Sequence, residues 1–134
     1  MTQEEKDLLL KDLCGRLSYG VKCKLWSGDN ECAAITEPLK IGGLDAFMCN
    51  ISITIKPYLR PMSSMTEEER KEYESFIVHR KHVNVQGQEW DIDCFSFDSV
   101  PRLISWLNAH HFDYRGLIEK GLALEAPEYM YKEV

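Results

Sequence analysis

Four histidines, five cysteines and an Asp-x-Asp pair are the residues of this 134-residue chain with the most obvious chemical potential. Asp91 and Asp93 match the signature of phosphotransferases that form an aspartyl-phosphate. That chemistry needs the first Asp at the end of a buried parallel strand, beside a helix N-terminus and a magnesium ion. Here residues 85–89 are polar and broken by Gly87, and too little chain follows to complete a doubly wound sheet. Period-two spacing instead puts both carboxylates on one strand face, the wet one. His79 with His82, and the adjacent His110 and His111, are the histidine clusters. Zinc takes four ligands, usually as tight Cys or His pairs two to four residues apart. Cys14, Cys23 and Cys32 stand nine residues apart and supply no such pair. No metal site and no cofactor are therefore expected.

Nucleophilic catalysis fares no better. A Cys–His arrangement needs hydrogen-bond reach and an oxyanion hole, and no motif announces either. Cys94 stands beside Asp91 and Asp93, and carboxylates are the wrong neighbours for a reactive thiol. No glycine-rich phosphate loop, GxSxG elbow or HExxH is present. An enzyme is not the leading expectation. A small metal- or thiol-dependent enzyme using His110, His111 or a cysteine is kept as an alternative.

Two other constellations suit binding. Lys22, Lys24 and Trp26 line the outer face of a predicted strand, and Lys56, Tyr58 and Arg60 continue the theme in a proline-bounded segment. Cations beside aromatic rings are how sheet surfaces hold single-stranded nucleic acid. Lysines on strand faces are also ordinary protection against edge-to-edge aggregation. Trp106, His110, His111, Phe112, Tyr114 and Arg115 crowd a predicted helix-to-helix corner. Trp, Tyr and Arg anchor protein interfaces, whereas aromatics at helical spacing more often pack a core.

The elements that must position these residues follow from periodicity. Thr2 and Glu5 form a capping box for a helix over 3–14, with Leu9, Leu10, Leu13, Cys14 and Leu17 at helical spacing. From Tyr19 the period falls to two, giving a strand through Val21, Cys23 and Leu25, a turn at 27–30 and a second strand over 31–36. Gly42 and Gly43 break the chain. Phe47, Cys49, Ile51, Ile53 and Ile55 alternate with polar residues and predict the clearest strand, ended by Pro57 and Pro61. Residues 56–65 read as extended connector. Thr66 and Glu69 cap a helix running to about Val78, closed by the cations of 79–82. Val83 and Val85 suggest a short strand, and Trp90, Ile92 and Cys94 another. Asp98 or Ser99 caps a helix through about His110, Asp113 caps a short final helix, and Gly121 ends it. The expectation is a single α+β domain over 1–134, loose beyond about 126. Its antiparallel sheet of three to four strands would be packed by an N-terminal helix, a middle helix and two C-terminal helices.

Two runs carry a resemblance. Residues 56–69, KPYLRPMSSMTEEE, and 106–123, WLNAHHFDYRGLIEKGLA, are similar to stretches of small uncharacterised proteins from phages and mobile elements of gut anaerobic bacteria, with 8–14, LLLKDLC, as a further match. The resemblance carries no known activity and transfers no catalytic residue. It implies a bacterial cytoplasm during carriage of a mobile element.

Composition bounds the rest. The chain is 44% hydrophobic with a net charge of -6, which argues against disorder and against wholesale coating of nucleic acid. The odd cysteine count argues for reduced thiols, a cytoplasmic setting is expected, and neither a membrane span nor a secretory leader is. The leading expectation is a small non-enzymatic protein that binds another protein, its identity and its own oligomeric state open. The runner-up is a single-stranded nucleic-acid-binding module.

Overall fold

The computed structural model describes the chain apart from residues 28–29, 50–52, 96–97 and 132–134, and apart from the side chains at 27, 30–37, 79–80 and 93. Four α-helices form among the described residues: α1 (Gln3–Arg16), α2 (Ile41–Cys49), α3 (Glu67–Glu74) and α4 (Val100–Ala109). The strands are β1 (Lys22–Ser27), β2 (Asn30–Pro38), β3 (Ile53–Leu59), β4 (Ile77–Val83), β5 (Glu89–Phe95) and β6 (Leu124–Glu125). The chain divides into two compact units, Met1–Met62 with Leu107–Val134, and Ser63–Trp106.

The α+β class is observed, but the single antiparallel sheet is not. In the first unit the strand order is β2-β1-β3-β6, and β6 pairs with β3 in parallel through two residues only. In the second unit β4 and β5 form a separate two-stranded ribbon. The helices also differ from expectation. A helix forms at α2, and turns replace the short helix expected after Asp113.

Each departure has a local cause. The alternation at 47–55 competes with a helical spacing that places Leu44 and Phe47 in the core together, and the helix wins up to Cys49. Gly42 and Gly43 lie inside that helix. A Cβ on Gly43 would stand 3.2 Å from Leu39 Cδ1, so the glycine permits close packing there and does not act as a breaker. Ile51 and Ser52 lie outside the described residues, and strand β3 takes up the pattern at Ile53. It runs on through Pro57, whose register partner is Cys23. On the other side β6 engages only Tyr58 and Leu59, so no ladder there calls on a proline N–H. Helix α3 stops at Glu74, short of Val78, because the β-branched Ile77, Val78 and Val83 pair with β5. The cations at 79–82 therefore sit on a strand and close no helix.

Of the two expected capping boxes, the one at α3 is complete and the one at α1 has only the threonine bond. Thr66 accepts from the Glu69 N–H and Glu69 returns a bond to the Thr66 N–H, at 3.1 and 3.0 Å. Thr2 accepts from the Glu5 N–H at 3.1 Å. The first unit's core gathers Leu9 and Leu13 of α1, Val21, Cys23, Ile55 and Leu59 of the sheet, Leu44 and Phe47 of α2, and Leu117, Leu122 and Ala123 after the corner. Past 126, where the sequence predicts a loose tail, the Tyr131 hydroxyl accepts from the Lys22 N–H at 2.9 Å and donates to the Tyr58 carbonyl at 2.7 Å. No described helix is long and apolar enough to cross a membrane.

Candidate functional site

The aromatic corner turns out to be a joint. Phe112 is wholly buried, and His111, Asn108 and Asp113 are buried beside it. Asp113 accepts the N–H groups of Leu117 and Ile118, holding the turn that was expected to be a helix. Arg60 binds the corner by its backbone, its N–H donating to the His111 carbonyl and its carbonyl accepting from the Asp113 N–H, while its guanidinium lies 4.3 Å from the Phe112 ring. Tyr114 donates to Asn108 Oδ1, and the guanidinium groups of Arg16 and Arg115 stand 5.1 and 4.9 Å from its ring.

His111 carries the corner's unusual features. Its φ is +62°, left-handed backbone that a non-glycine residue adopts only when its surroundings impose it. Its ring stacks on Tyr131 at 3.7 Å, and among the described residues its buried Nδ1 has no hydrogen-bond partner. Burial, then the charges of Arg16, Arg60, His110 and Lys22, lowers its pKa to about 4. The imidazole is neutral at physiological pH.

Trp106 belongs to the second unit. Its indole donates to Glu72 at 2.7 Å and packs against Tyr73 and Phe76. Trp106 thus lies in the second unit and the other five corner residues in the first, where His111 and Phe112 are buried and His110, Tyr114 and Arg115 are half-buried.

The basic and aromatic residues come together more closely. Lys24 and Lys56 are register partners on neighbouring strands, and their ammonium groups stand 5.5 and 5.6 Å from the Trp26 ring. Lys22 and Tyr58 meet farther along, where both engage Tyr131. Arg60 is drawn into the corner instead.

The other chemical candidates separate. Asp91 and Asp93 lie on an antiparallel ribbon across from Lys81 and His79, far from the parallel strand end that phosphotransfer needs. His79 and His82 both lie on β4, and the His79 side chain lies outside those described. Among the described residues no group of three or more metal-ligating side chains forms. Cys23 is buried, which together with the Asp12 charge pushes its thiol up to about 12. Cys14 and Cys49 are exposed free thiols, Cys94 is half-buried, and the Cys32 side chain lies outside those described. An open surface concavity of about 680 Å³ on the first unit presents Cys14, Ser18 and Lys40 among apolar walls.

The ribbon adds a surface that sequence reasoning did not single out. Register puts Trp90, Ile92 and Cys94 on one face with Val78 and His82. Trp90 is 43% exposed, Ile92 37% and Val85 at the tip fully exposed, and His82 lies 4.8 Å from the Trp90 ring. Alternation marked the strand, but it carried no information on whether anything in the chain covers that face. Asp12 and Arg16 were also missed, although their i, i+4 spacing on the apolar stripe of α1 is visible in the sequence. No known protein family, curated protein or solved structure matches the chain.

Proposed function

We propose that this chain is a small accessory protein that binds another protein through the β4–β5 ribbon. One observation carries the reading: the ribbon face with Trp90 and Ile92 stays exposed on a unit that buries very little. Among the described residues of Ser63–Trp106, Leu103 is the only buried apolar side chain. A unit of this size holds itself together with difficulty even with a proper core. Covering Trp90, Ile92 and Val85 would supply apolar burial that the unit lacks, at roughly 25 cal/mol per Å². An exposed Trp is also the side chain most typical of interface anchors. Among the described residues no third strand joins the ribbon, so its outer edges offer backbone groups to a partner strand. The setting, a phage or other mobile element in a bacterial cytoplasm, rests on the resemblance of residues 56–69 and 106–123.

The test is site-specific photocrosslinking in host cells, with the crosslinker at position 90 or 85 and, as control, at the exposed Lys11 of α1. Discrete adducts from positions 90 and 85, absent at 11 and lost when Ile92→Ser is added, are expected. Equal labelling at all three positions would defeat the reading.

A further inference from the structure

We infer that the outer face of β1 and β3, centred on Lys24, Trp26 and Lys56, is a binding site for single-stranded nucleic acid. It lies on the first unit and is independent of the ribbon proposed above.

The face is built by alternation. Cys23, Ile55, Pro57 and Leu59 point into the core and are buried, so Lys22, Lys24 and Trp26 of β1 share the opposite face with Thr54, Lys56 and Tyr58 of β3. On it Lys24 and Lys56 are directly opposed across the ladder, an arrangement in which like charges repel. Trp26 partly offsets this, since both ammonium groups stand over its ring, at 5.5 and 5.6 Å. An indole attracts cations without neutralising them, so the ring gathers positive charge at one spot. A phosphate oxygen set between Lys24 and Lys56 would remove the repulsion and keep both cation–ring contacts.

The rings select the polymer. Trp26 and Tyr58 flank the Lys24–Lys56 pair on the same face, both half-buried, so each is fixed by the sheet and retains some open surface. Bases freed from a duplex can stack on such rings, while paired bases cannot reach them. Charge alone would accept any polyanion; a ring between two cations favours an anion that carries a flat base.

The overall charge of -6 does not oppose this locally. Net charge is a whole-chain sum, and five of its glutamates, Glu67, Glu68, Glu69, Glu72 and Glu74, are carried by α3 of the second unit.

The experiment is fluorescence anisotropy of the full chain with a labelled mixed-sequence single-stranded DNA or RNA of about 12 nucleotides, a length suited to one sheet platform. Binding is expected to weaken linearly in log salt. The double variant Lys24→Gln with Lys56→Gln is expected to lose at least about ten-fold in affinity and to flatten that slope by about 0.7, the contribution of one single-strand phosphate that is no longer neutralised. Trp26→Leu should weaken binding by about ten-fold with the slope unchanged, the mark of lost stacking. Lys11→Gln should change neither. Thermal melts accompany each variant, and removing a repulsive lysine pair is not expected to lower the melting temperature. No binding by the wild-type chain at about 50 mM salt, equal competition by duplex or by a sulfated polysaccharide, or a double variant that binds as well as the wild type would each overturn the assignment.

Discussion

The wholly buried guanidinium of Arg16 donates to the backbone carbonyl of Phe112, a residue 96 positions later in the chain. The same guanidinium holds Asp12 at 2.8 Å, and Asp12 in turn receives Arg115 at 3.4 Å. Helix α1 is thus tied to the corner after α4 by the Arg16–Phe112 hydrogen bond and the Arg115 contact, while the Asp12–Arg16 pair lies within α1 with no exposure on either side chain. Burial raises the Asp12 pKa against the opposing pull of Arg16. That places desolvation first among the influences on this carboxyl, as expected for an ion pair removed from water.

Breaking the pair one-sidedly should therefore be severe. Arg16→Met leaves Asp12 buried with only the longer contact to Arg115, and is expected to cost about 3 to 5 kcal/mol in urea denaturation. Asp12→Leu combined with Arg16→Met removes both charges and should recover much of that loss. A double variant as unstable as the single one would show that the pair is net stabilising beyond its own desolvation.

His111 sets a pH dependence. Its folded pKa, about 4, lies below the ordinary histidine value of 6.5, so the unfolded chain binds the proton first as pH falls. Stability is full above about 6.5 and is lost as pH drops toward 4, with no further loss from this group below that value. The window corresponds to about 3 kcal/mol. His111→Asn retains a residue tolerant of the left-handed backbone. Its unfolding free energy should change less between about pH 7 and about pH 4.5 than that of the wild type.

What was legible in the sequence follows the same physics. Thr66 and Glu69 gave the start of α3 because a capping box is a local device, complete within four residues. The β1 and β5 strands were equally local, read from Val21, Cys23 and Leu25 and from Trp90, Ile92 and Cys94. Phe47 misled because its neighbours satisfy period two while Leu44 and Phe47 satisfy a helix, and only the core decides which burial is realised. Trp106 and Tyr114 were noticed for their chemistry, yet their partners, Glu72 in one unit and Asn108 with Arg16 in the other, depend on tertiary placement. Lys24 and Lys56 share a theme in the sequence, but their direct opposition needs the β1–β3 register.

The cap on α3 can be tested alone. No residue of α3 is buried, so little packing supplements its two reciprocal cap bonds. Thr66→Ala should cost about 1 kcal/mol. The clearest readout is hydrogen exchange at the amides of 69–74, whose protection should fall by about five- to ten-fold, about 1.4 kcal/mol being ten-fold in an equilibrium. Unchanged protection would mean that tertiary contacts, and not the cap, hold the helix.

Tyr131 closes the sheet face at its far end. Its hydroxyl sits between β1 and β3, taking the Lys22 N–H and giving to the Tyr58 carbonyl, one pair beyond the Cys23–Pro57 register position. It stands where a direct ladder bond would otherwise join the two strands. The ring meanwhile covers His111 at 3.7 Å. Tyr131→Phe keeps that stacking and deletes only the relay, leaving a donor and an acceptor partly buried without partners. The expected loss is about 2 kcal/mol, read as a lower urea midpoint at constant slope. Tyr131→Ala, which also uncovers His111, should lose more and should raise the His111 pKa toward its ordinary value. Equal stability of the Phe variant and the wild type would show that water replaces the hydroxyl at no cost.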